Sequence, residues 1–297
     1  MMELIIGGGF LGSYLVEALR AENAGNIIYT RRDPALRNLS ASPRCACCDV
    51  TDPVSVAALS ALCGKEKLTV FYLASMHQVD RLYENPGEGR RVNLDGLERF
   101  LTVFADRTEK LFYASTDCVY GEMPAGKDRF RETDPLDPIN EYGRQKAAAE
   151  RIVNRFGFTA LRYPFMLGPS LCEKKHFYDK IRESLLNGEK IEMIDGMFRS
   201  VLSYRDAAAL TVALSRTDGP LPPVINVCGD RGYGKYDVGV TIAKNLGADP
   251  SLVVPLTGAQ GAKFFKDRRA DNAVMDNALL KRITGLSEIL WEEDQCS

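Results

Sequence analysis

The chain has 297 residues, 45% of them apolar and 26% charged, with a formal net charge of -2. So even a balance gives no electrostatic reason to expect nucleic acid or an anionic membrane as a partner, and no apolar run approaches the ~18 residues of a membrane span. The first strand begins by residue 3, which leaves no space for a signal peptide, so a cytoplasmic location is expected.

The eight cysteines fit that compartment as reduced thiols. Cys45, Cys47 and Cys48 cluster, while Cys63, Cys118, Cys172, Cys228 and Cys296 are scattered. Without a second closely spaced pair, no metal site is expected.

Glu3–Ile6 reads as a strand that runs into Gly7-x-Gly9-x-x-Gly12 and then into the helical apolar period of Leu11–Ala21. Gly7 permits a tight turn, Gly9 lets the backbone approach a pyrophosphate, and Gly12 allows close packing of helix on strand. The helix N-terminus then faces the anion. A dinucleotide site follows from the motif's place between strand and helix. Strand Asn26–Thr30 comes next and leads into Arg31-Arg32, where an NAD site usually places an acid for the ribose hydroxyls. Two guanidinium groups can pair with a 2′-phosphate instead. NADP(H) is therefore favoured over NAD(H), the alternative being two solvated arginines.

Strands Arg44–Cys48, Leu68–Leu73, Lys110–Ser115 and Phe158–Arg162 alternate with helices Pro53–Cys63, Val92–Ala105 and Tyr142–Phe156. Alternating β and α predicts an α/β fold with a doubly wound parallel sheet (a Rossmann fold) and right-handed crossovers, with ligand beyond the carboxyl ends of the strands. The loop Gly121–Glu141 is long enough to be functional or mobile.

After residue 165 the pattern loosens. Helix-like His176–Asn187, a strand near Ile191–Ile194, helix-like Tyr204–Ser215, strand Pro223–Cys228 and helix-like Lys235–Leu246 follow. The division expected is a dinucleotide-binding domain over residues 1–165, to which 200–229 returns, and a smaller C-terminal α/β substrate-binding part over 166–297.

Tyr142-Gly-Arg-Gln-Lys146 follows Ser115-Thr116 and sets a phenol and an ammonium at i, i+4 on one helix face. The cation can hold down a phenol pKa that is ordinarily about 10. Such a phenol can exchange a proton with a sugar alcohol near neutrality. The spacing is a weak sign alone; the glycine loop upstream gives it weight.

Taken in order, these motifs are joined by Asp49-Val50, Phe71-Tyr-Leu-Ala-Ser75, Asn93-Leu-Asp-Gly, Ala114-Ser-Thr-Asp-Cys-Val-Tyr-Gly121 and Leu161-Arg-Tyr-Pro-x-x-x-Gly168-Pro169. Asn226-Val-Cys-Gly and Arg269-Ala-x-x-x-x-x-Asp276 complete the series. Over nearly its whole length the chain resembles an extended short-chain dehydrogenase/reductase of the NAD-dependent epimerase/dehydratase group. It is most similar in style to the dTDP-4-dehydrorhamnose reductases. The glycine loop is one residue shorter than in most members, Ala270 stands for a usual proline, and Phe165 for an asparagine common in epimerases.

The resemblance implies a catalytic set of Thr116, Tyr142 and Lys146. Thr116 would hydrogen-bond the carbonyl oxygen that gains charge, Tyr142 would donate the proton, and Lys146 would hold the nicotinamide ribose. The alternative for Thr116 is a hydroxyl capping a turn. The cofactor would meet Gly7, Gly9, Phe10, Leu11, Gly12, Arg31, Arg32, Asp49, Val50, Leu73, Ala74, Ser75, Pro164 and Phe165, along with Tyr142 and Lys146.

His77, Arg199 and Arg269 are candidates for contact with a nucleotide-sugar substrate, or else solvated side chains. Cys118 and His176 match proton-shuttling positions of epimerase-reductases; the alternative is a small buried thiol and a helix N-terminal histidine. Asp117-Cys118 replaces the Asp-Glu pair of the sugar-nucleotide 4,6-dehydratases, which disfavours dehydration.

Relatives commonly dimerise through the helices here spanning Val92–Ala105 and Tyr142–Phe156. A homodimer is expected, with Leu97, Leu101, Val103 and Phe104 available for that contact or for packing on the sheet. The expected activity is NADPH-dependent reduction of a 4-keto deoxysugar on a nucleotide. Epimerisation is the near rival, and a non-catalytic NADP-binding regulatory subunit the distant one.

Overall fold

In the computed structural model, which describes residues 1–32, 44–257 and 263–291, strand and helix alternate from the start. The first strands are β1 (Met2–Ile6), β2 (Ile27–Arg31), β3 (Arg44–Cys47), β4 (Leu68–Tyr72), β5 (Thr108–Thr116) and β6 (Thr159–Tyr163). Then come β7 (Phe165–Leu167), β8 (Ile191–Ile194), β9 (Phe198–Ser203), β10 (Val224–Asn226), β11 (Gly232–Gly234), β12 (Val253–Leu256) and β13 (Asn272–Ala273). The helices are α1 (Phe10–Ala21), α2 (Pro53–Cys63), α3 (Val79–Glu84), α4 (Pro86–Arg90), α5 (Gly96–Phe104), α6 (Glu141–Arg155), α7 (Phe177–Leu186), α8 (Tyr204–Arg216) and α9 (Lys235–Asn245). A closing helix spans Ala278–Thr284.

Seven parallel strands form the main sheet in the order β10-β6-β5-β4-β1-β2-β3. Strand order reverses between β1 and β4, and a crevice opens there beyond the carboxyl ends. Both faces of the sheet are covered, so its central strands are apolar throughout and their side chains divide by alternation. Leu4, Ile6, Val70, Tyr72, Leu111 and Tyr113 join a core with α2, α5 and α6. Ile5, Phe71 and Phe112 join the opposite core with α1 and α8. Leu280 and Ile289 of the closing segment are buried in that second core.

A third core gathers Leu167, Tyr178, Ile181, Met193, Val201, Val238 and Trp291. Around it β9 pairs with β7, β11 and β13, and β8 pairs with β12.

Several elements differ from the sequence expectation. The helix predicted over Val92–Ala105 begins at Pro86 and contains a π turn at Arg91–Asp95. Strand β5 extends to Thr116, one residue past the expected end. Of the late short strands, β8 falls where expected and β10 lies within the expected Pro223–Cys228, whereas β7, β11, β12 and β13 carry too little pattern to be read, and β12 contains Pro255, which suits only an edge. Leu97, Leu101 and Phe104 are fully buried in the first core, and only Val103 of the four proposed dimer residues is exposed. The apolar area expected at a subunit contact is thus spent within the protomer. Among the described residues, no helix is long and apolar enough to cross a membrane.

Candidate active site

The glycine loop follows β1 at the sheet's switch point. Gly7 adopts φ +110, and a side chain there would place a Cβ 2.9 Å from the Ala74 amide nitrogen. At Gly12 a Cβ would lie within 2.2 Å of the Gly7 carbonyl oxygen, so α1 can start this close to β1 only with glycine. Open space faces Gly9. No side chain caps the α1 N-terminus, which leaves first-turn amides available to an anion.

A cavity of about 400 Å³ opens beside this loop. Of the predicted cofactor residues it is lined by Gly7, Gly9, Arg31, Arg32, Asp49, Val50, Ala74 and Ser75, and also by His77. Phe10, Leu11, Gly12, Leu73, Tyr142, Lys146, Pro164 and Phe165 are not among its lining. The Asp49 carboxylate accepts from the Thr51 amide and hydroxyl at 2.8 and 2.7 Å.

The loop after β4 is fixed by Asn93, whose amide group bonds the Met76 amide and carbonyl and the Ser75 hydroxyl. Asn93 sits in the π turn, where the extra residue per turn lets its side chain reach inward.

The arginines divide. Arg31 is nearly buried and pairs with Glu173 at 3.1 Å, with its Nε unpartnered; Arg32 is exposed at the cavity. Lys174 lines the same cavity, and nothing in the sequence signals it, because it arrives from far along the chain beyond β2. Among the described residues of the lining, Arg31 is largely committed and Arg81 pairs with Glu88 at 2.7 Å, so Arg32 and Lys174 are the cations that remain for a phosphate.

At the end of β5, Thr116 donates to Asp117 Oδ1 at 3.0 Å and accepts from the Cys118 amide at 3.3 Å. It caps the turn Asp117–Val119 as the alternative reading expects. Tyr142 and Lys146 come from the first turns of α6, which Asn140 caps through the Gly143 amide at 2.8 Å. Lys146 is buried, donates to the Ala114 carbonyl at 2.6 Å, and lies 4.6 Å from the Tyr113 ring centre and 5.8 Å from that of Tyr142.

The i, i+4 spacing predicts a phenol pKa held down by Lys146; the structure corrects this. Burial pushes the Tyr142 phenol up, Cys118 and Asp117 add to the rise, and the Thr116 hydroxyl opposes it. Burial brings the Lys146 ammonium down to about 7, against the pull of Glu150. At neutral pH the phenol keeps its proton.

Glu150 anchors this arrangement from below. Ser115 donates to it at 2.5 Å, and Arg162 pairs with both its oxygens at 2.9 and 2.6 Å. Arg162 also donates to the Tyr120 hydroxyl, which donates to Asn226, each at 2.7 Å.

The two shuttle candidates fare differently from what a proton relay requires. Burial, followed by Asp117, pushes the Cys118 thiol up to about 12, so it holds no thiolate at neutral pH. His176 caps α7: its Nδ1 accepts from the Tyr178 amide at 3.3 Å, while Nε2 meets the Tyr204 hydroxyl at 3.1 Å. Its ring packs on Phe10 at 4.8 Å. Both nitrogens are occupied, and burial brings its pKa down to about 4. The structure does not bring the pair together as a relay.

Arg199 lies 3.5 Å from Asp117, and Arg269 lies 2.9 Å from Asp80. Each also donates to backbone carbonyls, of Phe198 and Ala270 for Arg199 and of Asp267 and Arg268 for Arg269. They are held in place rather than solvated.

In the cysteine cluster, burial pushes the Cys48 thiol up to about 11. Among the described residues no three metal-ligating side chains converge; Cys296 lies outside them.

Compared with known proteins, residues 4–228 match the model of the NAD dependent epimerase/dehydratase family. A dTDP-glucose 4,6-dehydratase of Mycobacterium tuberculosis is 28% identical over 162 residues, 52% of this chain and 48% of that protein. The match thus spans about half the length of that relative. A dTDP-4-keto-6-deoxy-D-glucose reductase of Streptomyces niveus is 25% identical over 84% of this chain and 79% of its own. In fold, a UDP-glucose 4-epimerase of Thermotoga maritima solved with UDP-glucose superposes with a TM-score of 0.82 at 22% identity, covering 100% of this chain and 96% of that one.

Proposed function

The chain belongs to the NAD dependent epimerase/dehydratase family, and from that premise we propose that it is an NADPH-dependent reductase of a nucleotide-linked 4-keto deoxysugar. The observation that carries this reading is the Tyr142 phenol held beside Thr116 at the carboxyl end of β5, with the Lys146 ammonium 5.8 Å from its ring centre. When bound, the dinucleotide supplies the hydride.

Thr116 turns its hydroxyl from Asp117 to the substrate carbonyl oxygen, where negative charge develops. Tyr142 delivers its proton to that oxygen as the charge appears. Lys146, poised near neutrality by burial, carries the positive charge that steadies the resulting phenolate.

The rival reactions have less support. Cys118 holds its proton, and His176 is spent on α7, so neither serves an epimerase. The dehydratase acid pair is absent at Asp117-Cys118. Retention of Thr116, Tyr142 and Lys146 argues against a merely cofactor-binding subunit. Incubation of protein and keto-sugar in deuterated water without NADPH should leave the ring carbons beside the keto group unlabelled, as read by NMR. Rapid washout that depends on Cys118 would move the reading to epimerisation.

Cofactor choice rests on Arg32 with Lys174. Arg32→Ala should raise the KM for NADPH about tenfold or more, the scale of one lost charge-assisted hydrogen bond, and leave the KM for NADH within about twofold. Equal effects on both would remove the 2′-phosphate from the assignment.

A further inference from the structure

Three phenylalanine rings surround one ammonium group. Lys235 Nζ lies 5.9 Å from the ring centre of Phe165, 6.0 Å from that of Phe177 and 5.2 Å from that of Phe265. Among the described residues it makes no hydrogen bond or ion pair, and its direct contacts are the three rings. Arg269 shares the Phe265 ring with it, 4.7 Å from the ring centre, and Arg269 and Arg199 each have a carboxylate of their own, Asp80 and Asp117. Lys235 is therefore the cation of the group with no acid assigned to it.

Such a charge is costly to keep half-buried unless something answers it. Burial, then Arg199 and Arg269, bring the ammonium down to about 8, with Asp80 and Cys118 opposing. Aromatic faces stabilise a cation only modestly, and they leave its N–H groups without an acceptor. The place is also telling: Phe165 opens the strand two residues after β6, and Cys118 acts on both the Lys235 ammonium and the Tyr142 phenol, which puts the cage on the proton donor's side of the site.

We propose that Lys235 completes an oxyanion site with Arg199 and Arg269, and that it binds an anionic oxygen of the nucleotide-linked substrate, phosphate or carboxylate. The inference rests on the nucleotide-sugar reading above and adds the residue and the ligand chemistry.

Calorimetric titration of the full chain with NADPH present, using inorganic pyrophosphate, UDP-glucose and UDP-glucuronic acid, tests it. Lys235→Met should weaken pyrophosphate and both sugars about tenfold or more if the oxygen is a phosphate's, and UDP-glucuronic acid alone if it is a carboxylate's. Lys235→Arg should bind within about threefold of the unaltered chain, and Lys235→Gln, measured alongside, keeps a polar group should the methionine variant fail to fold. Unchanged affinity for all three ligands in folded Lys235→Met or Lys235→Gln protein overturns the proposal, as does equal loss in Lys235→Arg. Lys235-dependent binding of pyrophosphate without binding of either sugar keeps the site and discards the nucleotide-sugar reading. Binding of none of the three discards both.

Discussion

Tyr142→Phe is expected to lower turnover on a dTDP-linked 4-keto-6-deoxysugar about a thousandfold while leaving the Kd for NADPH within about threefold. The size is that of one positioned proton donor, and the split follows because the phenol's hydroxyl acts in the transition state rather than in cofactor binding. The residual rate would come from Thr116 and from bound geometry. The phenol's raised pKa fixes the sign of the pH dependence. A proton held by burial is present throughout the neutral range, so no loss of activity around neutral pH should trace to Tyr142 deprotonation. Lys146, brought down to about 7, is the group that titrates there. Wild-type turnover should therefore fall as pH rises through about 7 and the ammonium loses its proton. A wild-type rate in Tyr142→Phe would remove the phenol from the chemistry.

What could be read from the sequence was what a short segment decides for itself. The glycine loop, the helix after it and the Tyr142–Lys146 spacing are local, and the near-continuous apolar runs of β1, β4 and β5 announce strands buried on both faces. What could not be read depends on partners far along the chain. The Arg31–Glu173 pair joins residues 142 apart. The commitment of His176 to its own helix needs Asp179 and Tyr204 together. Lys235, a polar first residue of a helix in sequence, takes its meaning from Phe165, Phe177 and Phe265, three segments meeting in space. The lowered phenol pKa failed as an expectation for the same reason. Spacing gives the distance to Lys146, but the burial that dominates is a property of the folded surroundings.

Arg162→Met is expected to cost about 3–5 kcal/mol of stability in urea unfolding, because it leaves the Glu150 carboxylate buried without its bidentate partner. Only the Ser115 hydroxyl and the more distant Lys146 ammonium would then answer that charge. Tyr120 would also lose the guanidinium that donates to it. Replacing both partners, Glu150→Met with Arg162→Met, should recover a large part of the loss, since the double change removes both charges and keeps apolar volume. The recovery will not restore catalysis. Glu150 is the group that holds the Lys146 pKa up against burial, so the ammonium in the double variant would lose its proton at lower pH than in the parent. Stability returning without activity, with the alkaline limb of the rate profile moved downward, is the expected pair of results. A cost below about 1 kcal/mol for Arg162→Met would mean that the buried pair barely outweighs its own desolvation. The fixed position of Lys146 would then have to come from the Ala114 carbonyl and the Tyr113 ring alone.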